Sequence, residues 1–347
     1  MQTPSGNYAI ITGNGRSGSN WLLTMLDTSR LTHCRNEPHG VRTSPYRQLP
    51  NPPVDDKYAA AMLRQWDAFA DWTANRMGLH DHRIIHPKDH VHRWSQVTGL
   101  AHLSARPRVQ RALAPFIPAL QRGEWQMPFW IGNQAKLSQA LAIFKLIDMK
   151  AWAVEWLLQN RPDIPVIHIV RHPGGFLNSG MSRFFSTLSP QEQAEERLLY
   201  QTYLKWGVMV YPEWAMTLGD IEAMNLAEAV AWFWRFNNEM VFRLGQHAPN
   251  YLPIIYEELV QEPFNYAQTV FKHCQLPWTP DVEARIRQGL GISVWGKLEK
   301  APTSVADSWK RKLSPELQAL AQAVLSSSVM ADWWEPCHAK EPSSVKG

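Results

Sequence analysis

A short apolar run, Tyr8 to Thr12 (YAIIT), empties into Gly13-Asn-Gly-Arg-Ser-Gly18 and then into a stretch whose apolar residues recur at Trp21, Leu22, Met25 and Leu26. The first segment suits a buried strand and the last an amphipathic helix, and the glycines between them reach backbone angles closed to other residues. Strand, glycine loop and helix therefore follow one another within some twenty residues. Such a loop turns several backbone N–H groups, with the positive end of the helix, toward one point, which is a site for a phosphate or sulfate. A nucleoside-triphosphate loop of the form GxxxxGK[ST] needs Lys after its last glycine and a hydroxyl next to hold Mg²⁺. Here those places hold Ser19 and Asn20. The glycine spacing survives while the lysine and the metal-holding hydroxyl do not, so metal-free chemistry on an anion is favoured over triphosphate hydrolysis. The bland alternative is a loop whose glycines only make a tight turn.

Further along, residues 142–147 (AIFKLI), 166–170 (VIHIV) and 251–256 read as strands, residues 152–159, 220–246, 257–274 and 315–325 as helices, and a Pro-Gly turn at Pro173–Gly175 as the entry to a helix through Arg183. Nearly unbroken apolar strands alternating with helices describe a parallel sheet covered on both faces. The expected fold is therefore α/β: a three-layer, P-loop-like, doubly wound parallel sheet with helical insertions, forming a single domain over 1–347. Residues 58–77 place Met62, Trp66, Phe69 and Thr73 at helical spacing, whereas residues 80–135 are rich in His, Arg, Pro and Trp without a clean period. Segments 38–141 and 185–250 are read as insertions that shape a binding pocket, and 338–347 as a loose tail.

Thirty-five basic residues against 31 acidic leave a net charge of +4 spread along the chain, which gives no footprint for nucleic acid or a membrane surface. Cys34, Cys274 and Cys337 are odd in number and far apart, so they build neither a disulfide framework nor a CxxC metal site. With no basic start followed by a long apolar run, the expectation is a soluble protein of the cytoplasm.

A second anion site is legible in IVRHPGGFLNSGMSRF, where Arg171 ends an apolar strand and Ser179 and Arg183 lie one helical turn apart. Guanidinium groups suit bidentate contact with phosphate. With both halves in this order the chain resembles the sulfotransferases, which move a sulfuryl group from 3′-phosphoadenosine 5′-phosphosulfate (PAPS) and release the bisphosphate PAP. The resemblance implies that Gly15, Arg16, Ser17, Gly18, Ser19, Asn20 and Trp21 hold the 5′-phosphosulfate. It likewise assigns Arg171, Ser179 and Arg183 to the 3′-phosphate. Tyr256, in a segment similar to the family's YEDL, is implied at the adenine, and Trp309 and Lys310 resemble a late Trp-Lys element near the nucleotide. Residues 7–37, 142–184 and 251–275 carry the likeness.

Sulfuryl transfer needs cations on the developing negative charge and one base for the acceptor's proton. Arg16 stands where many cytosolic members have Lys, in an Arg-Ser-Gly form nearer to the tyrosylprotein and carbohydrate branches. Lys145, 26 residues before Arg171, matches the catalytic lysine of the tyrosylprotein branch; its bland reading is a surface lysine, but it sits inside an apolar strand. The histidine that cytosolic members carry two places later is replaced by Ile147. Glu37, 21 residues after Arg16, is similar in position to the glutamate base of the tyrosylprotein branch and is taken as the general base, with His86 in reserve.

The stretch containing His80, His82, His86, His90 and His92 invites a metal reading. Interleaved Arg83, Lys88 and Arg93, and the lack of a cysteine, argue against it, so no metal is expected. His168 alternates into an apolar strand as a core histidine. The expected reaction is transfer to a hydroxyl, or less readily an amine, of a small-molecule acceptor such as a natural product. Trp206, Tyr211 and Trp214 are expected to line its pocket. The alternatives are a small-molecule kinase with a degenerate loop, or a non-catalytic nucleotide- or metal-binding protein.

Overall fold

The computed structural model describes residues 7–40, 58–75, 86–98, 112, 115–116, 129–289, 292–293, 296–297 and 306–334. Its centre is a five-stranded, all-parallel sheet of β1 (Tyr8–Gly13), β2 (Thr32–Asn36), β3 (Leu141–Ile147), β4 (Val166–Val170) and β5 (Tyr251–Ile255) in the spatial order β2-β3-β1-β4-β5. Chain leaves β1 toward one edge and β4 toward the other, so the loops after these two neighbours diverge and leave a crevice at their carboxyl ends. Ligands of open α/β sheets bind at such a switch point.

Side-chain alternation divides the sheet into two apolar faces. Ala9, Ile11, Ile143, Ile167, Ile169 and Ile254 share one core with Trp21, Leu22, Leu23, Met25 and Leu26 of helix α1 (Ser19–Asp27). Tyr8, Ile10, Ala142, Phe144, Leu146 and Val166 share the other with α2 (Tyr58–Asn75), α3 (Ala151–Asn160) and two helices further on. Fully burying one Leu, Ile or Phe is worth about 1.5–3 kcal/mol, so each face is a strong constraint on register. Met62, Trp66, Phe69 and Thr73 are all buried, as their spacing predicts.

After β4 come α4 (Pro173–Arg183), α5 (Pro190–Val210) and α6 (Leu226–Gly245). The ends of α5 and α6 are fixed locally: Ser189 with Glu192, and Asn225 with Glu228, each form a reciprocal capping box. α6 is buried along most of its length and lies in the layer over the sheet.

The single helix expected over 257–274 is two, α7 (Tyr256–Gln261) and α8 (Pro263–His273). Pro263 has no N–H and its ring crowds the preceding turn, so the chain breaks at Glu262 and restarts with proline in the first turn. Following these are α9 (Pro280–Gly289), α10 (Trp309–Lys312) and α11 (Pro315–Ser326). β2 is not visible in the apolar pattern, because THCRN is mostly polar.

Two further expectations change. Tyr211 and Trp214 do not line a pocket: both are buried in the core, the Tyr211 hydroxyl donating to Glu155 Oε2 at 2.8 Å and Trp214 Nε1 to Met240 Sδ at 2.9 Å. Trp206 is partly buried against the same core. His168 is the core histidine expected, with Nδ1 paired to the Tyr251 hydroxyl at 2.7 Å and Nε2 to Asn238 Oδ1 at 3.0 Å. Burial pulls its pKa down to about 4. No helix among the described residues is long and apolar enough to cross a membrane.

Candidate active site

The glycine loop crosses the carboxyl end of β1 and delivers the chain into α1. Gly13 (φ 142°) passes so close to β4 that a Cβ there would lie 2.2 Å from the Ile169 carbonyl oxygen. Gly18 (φ 94°) caps α1, and a Cβ on it would lie 2.3 Å from Cδ2 of Tyr256. Trp21 N and Leu22 N bond the Gly18 carbonyl, which winds the first turn directly from the loop. Ser17 and Ser19 are buried, and Ser17 Oγ has no hydrogen-bond partner among the described residues. A buried hydroxyl left over beside a helix N-terminus fits a loop built around an anion.

What holds the loop is an acid that the sequence reading overlooked. Asp148, the first residue beyond β3, accepts from Gly15 N at 3.1 Å and Asn14 Nδ2 at 3.2 Å through Oδ1. Its own N–H donates to the Gly13 carbonyl at 2.9 Å. Burial pushes the Asp148 carboxyl up, against the Lys150 charge and these two donors. The only available signal was position, an acid at the end of an apolar strand.

Arg16, Glu37 and Asp148 all have positive φ (69°, 53° and 53°), and among the described non-glycine residues only Gln275 shares that feature. Such conformations cost about 1–3 kcal/mol each and gather at functional sites. Here the three lie just beyond the carboxyl ends of β1, β2 and β3.

The two segments expected to hold anions are in direct contact. Arg16 Nε donates to Ser179 Oγ at 2.9 Å, and Arg171 Nη1 donates to the Arg16 carbonyl at 3.1 Å. Arg171 is buried with its guanidinium 4.8 Å from the centre of the Tyr256 ring, and Trp234 Nε1 donates to its carbonyl at 3.0 Å. Gly175 leaves no room for a side chain, since a Cβ there would lie 2.6 Å from Arg171 Nε. Arg183 ends α4, one turn beyond Ser179. Trp21 belongs to the core between α1 and the sheet.

The far end of the crevice is aromatic. His172 stacks on Trp309 at 4.4 Å, and a Cβ on Gly174 would strike the same indole at 2.4 Å. His172 N donates to Glu257 Oε1 at 3.1 Å, and Glu257 Oε2 accepts from Trp334 Nε1 at 2.8 Å. Burial pushes the Glu257 carboxyl up and holds His172 neutral, its pKa down to about 4. Neither His172, Glu257 nor Trp334 was singled out from sequence. Lys310 instead lies on the surface and pairs with Asp307 at 2.8 Å.

At the acceptor side Lys145 reaches from β3 on the α1 face of the sheet. Its ammonium donates to Asn36 Oδ1 at 2.8 Å, to Glu37 Oε1 at 2.6 Å and to Asn20 Oδ1. Three donors meet three acceptors, so the side chain is fixed although it is only 1% exposed. Burial pulls its pKa down and the Glu37 carboxylate opposes this. Asn36 pairs in register with Lys145 across β2 and β3, and Glu37 N donates to the Lys145 carbonyl at 3.0 Å. Glu37 itself is 35% exposed and Asn20 is also partly open, whereas Asn36 is buried.

His80 and His82 lie outside the described residues. His86 stands two residues before Lys88, which is anchored at the opposite end of α1 through Asp27 Oδ1 at 2.8 Å and the Ser29 carbonyl at 2.8 Å. His90 is buried, which pulls its pKa down to about 3, and packs edge-on against His33. Among the described residues no three His, Cys, Asp or Glu side chains come together in a way that would hold a metal.

The family model described as the sulfotransferase family matches residues 9–280. Among solved structures, the sulfotransferase domain from the Synechococcus PCC 7002 olefin synthase is 18% identical, with 91% of this chain and 93% of that chain covered and a TM-score of 0.42. The sulfotransferase domain from the curacin biosynthetic pathway is 14% identical over 92% and 96%, with a TM-score of 0.44. Sulfotransferase STF9 from Mycobacterium avium is 14% identical over 93% and 76%, with a TM-score of 0.38. No curated protein matches the sequence.

Proposed function

The chain belongs to the sulfotransferase family, PAPS-dependent enzymes, and on that premise we propose that it sulfates a hydroxyl of a small-molecule acceptor with Glu37 as general base. The observation that carries this reading is the Lys145 ammonium, held by Asn20, Asn36 and Glu37 at the carboxyl end of the sheet beside the glycine loop.

Bound PAPS would supply an activated sulfuryl group. Gly15 to Asn20 would hold its 5′-phosphosulfate on the loop N–H groups and the Ser17 hydroxyl, whose buried, unmatched oxygen supports the fit. Arg171, Ser179 and Arg183 would hold the 3′-phosphate, Arg16 bridging the two ends through Ser179. Tyr256 and Trp309 offer the flat faces for adenine. Lys145 brings a positive charge to the place where negative charge builds up, in a buried setting where one charge is worth far more than in water. Glu37 Oε1 stays on Lys145 while Oε2 takes the acceptor hydroxyl's proton. No metal enters the proposal.

Partly exposed aromatic side chains of α5, Tyr200, Tyr203 and Trp206, support an acceptor with apolar or aromatic surface, of the natural-product kind. A cytoplasmic setting is supported by Cys34 and Cys274, both buried free thiols.

The test is a pair of variants. Arg171→Ala should weaken PAP far more than AMP, which lacks the 3′-phosphate; equal losses remove Arg171 from that role. Glu37→Gln should abolish sulfate transfer while PAP affinity stays within about threefold, and retained turnover would move the base elsewhere.

A further inference from the structure

Three residues beyond the end of β3, Lys150 opens α3 with its amine lying 3.3 Å from the centre of the Tyr203 ring and 5.1 Å from that of Phe233. Among the described residues its one hydrogen bond goes to the Asp148 carbonyl at 3.1 Å. The nearest acid is Asp148, whose charge bears on Lys150 from beyond ion-pair distance and whose Oδ1 accepts from Gly15 N and Asn14 Nδ2. Among the described residues no carboxylate lies within ion-pair distance of Lys150 Nζ. The amine thus keeps two unused N–H donors, on a side chain that is neither buried nor fully exposed. Burial among its neighbours pulls its pKa down to about 8, with Asp148 opposing.

A lone ammonium held over aromatic faces in a partly dry wall is an expensive arrangement to keep without a partner. It is also next to the proposed chemistry. His39, in the turn that follows Glu37, is half-buried, and the charges that bear on it are those of Glu37, Lys145 and Lys150 together. Burial keeps this imidazole neutral, its pKa down to about 4, so it adds no competing charge. Lys150 lies over Tyr203, Tyr200 packs beside Tyr203, and the carboxylates whose charges bear on the two tyrosines, Asp148 and Glu196, form no ion pair with Lys150 among the described residues.

We propose that Lys150 is an acceptor-recognition residue, and that the acceptor carries an anionic group, a carboxylate or phosphate, on the same molecule as the hydroxyl that is sulfated. This rests on the sulfotransferase reading and deepens it by naming a substrate class. The acid would take the two idle N–H donors of Lys150 while Tyr203 covers the adjoining apolar part, and the distal hydroxyl would be left at Glu37. Lys150 touches the acceptor and not the reacting atoms, so it sets specificity and not the chemical step.

The test uses matched pairs that differ only in charge: 4-hydroxyphenylacetic acid against its amide, and 3-hydroxydodecanoic acid against its amide. Each is titrated into the full chain, with and without saturating PAP. In at least one pair the acid should bind about tenfold or more tighter than the amide, the size of one charge-assisted hydrogen bond. Lys150→Met should bring that ratio to about one, Lys150→Arg should keep most of it, and both should bind PAP as the parent does. If in every pair the acid binds no better than its amide, including the case in which none binds, the proposal is overturned. It is equally overturned if Lys150→Met leaves the ratio intact. PAP binding separates the two levels: a protein that ignores PAP removes the donor site on which the proposal rests, whereas one that binds PAP without distinguishing acid from amide removes the subsite alone.

Discussion

Within one loop, two glycines should respond very unequally to the same methyl group. At Gly18, alanine must adopt φ 94° and place its Cβ 2.3 Å from Cδ2 and 2.5 Å from Cε2 of Tyr256. The ring cannot retreat, being buried and packed against Arg171. A left-handed conformation costs a non-glycine residue about 1–2 kcal/mol, and overpacking a filled site about 1–3 kcal/mol. Together these give about 2–5 kcal/mol, shared between folding stability and affinity for the nucleotide, depending on whether the loop moves. At Gly15, by contrast, the Cβ would meet Asp148 Oδ2 at 3.4 Å and Ile147 Cδ1 at 3.8 Å, ordinary contacts without a left-handed backbone. Gly15→Ala should stay within about 1 kcal/mol of the parent. Urea denaturation and calorimetric titration with PAP measure the two portions. Gly18→Ala should lose about 2–5 kcal/mol in their sum, which is about 30-fold or more in PAP affinity if the whole cost falls there. A Gly18→Ala protein with parental stability and parental PAP affinity, or a Gly15→Ala protein as damaged as Gly18→Ala, would refute the account of how this loop is held.

Other predictions follow from single contacts. Asp148→Ala leaves Gly15 N without its acceptor and should weaken PAP by about tenfold, while Asp148→Asn, which keeps an oxygen for Gly15, should lose less; titration calorimetry ranks the two. Trp334→Phe frees Glu257 Oε2 in a buried site and should lower stability by about 1–3 kcal/mol in urea denaturation, a parental midpoint speaking against the tether. Lys150 holds its proton less tightly in the folded protein, about 8, than at its ordinary 10.5, so between those pH values the unfolded chain carries more protons and stability rises with pH. Relative to Lys150→Met, the parent should gain about 2–3 kcal/mol from neutral pH to about pH 10. A stability difference independent of pH would remove the description of Lys150 as an ammonium held partly out of water.

The loop, its flanking strand and helix, and the Arg171 segment were legible because glycine spacing and unbroken apolar runs are local signals. Lys145 was legible for a related reason: a cation among Phe144 and Leu146 is out of place unless something holds it. Asn36, which holds it, was not, since β2 is polar and its residue meets Lys145 only through strand register. Asp148 and Glu257 were missed because their work is done on backbone N–H groups far away in sequence, which leaves no pattern to read. Tyr211 and Trp214 misled in the other direction. Aromatic content was read as pocket lining, but both rings have polar atoms satisfied by Glu155 and Met240 and therefore belong to the core.

The order β2-β3-β1-β4-β5 also imposes a waiting time during synthesis. β1 comes first in chain order among the five strands of the sheet and is the central one, yet it pairs only with β3 and β4. Asn14, just past β1, lies 134 positions before its partner Asp148. At about 5–20 residues per second, YAIIT and the apolar side of α1 spend roughly 7–27 seconds on the ribosome before their neighbours exist. In that interval an apolar piece of the protein, the one proposed to bind the nucleotide, has no strand to pair with. Nascent chains ending before about residue 170 should therefore depend on a holding chaperone, and the folded state should arise in one late step once β4 has emerged.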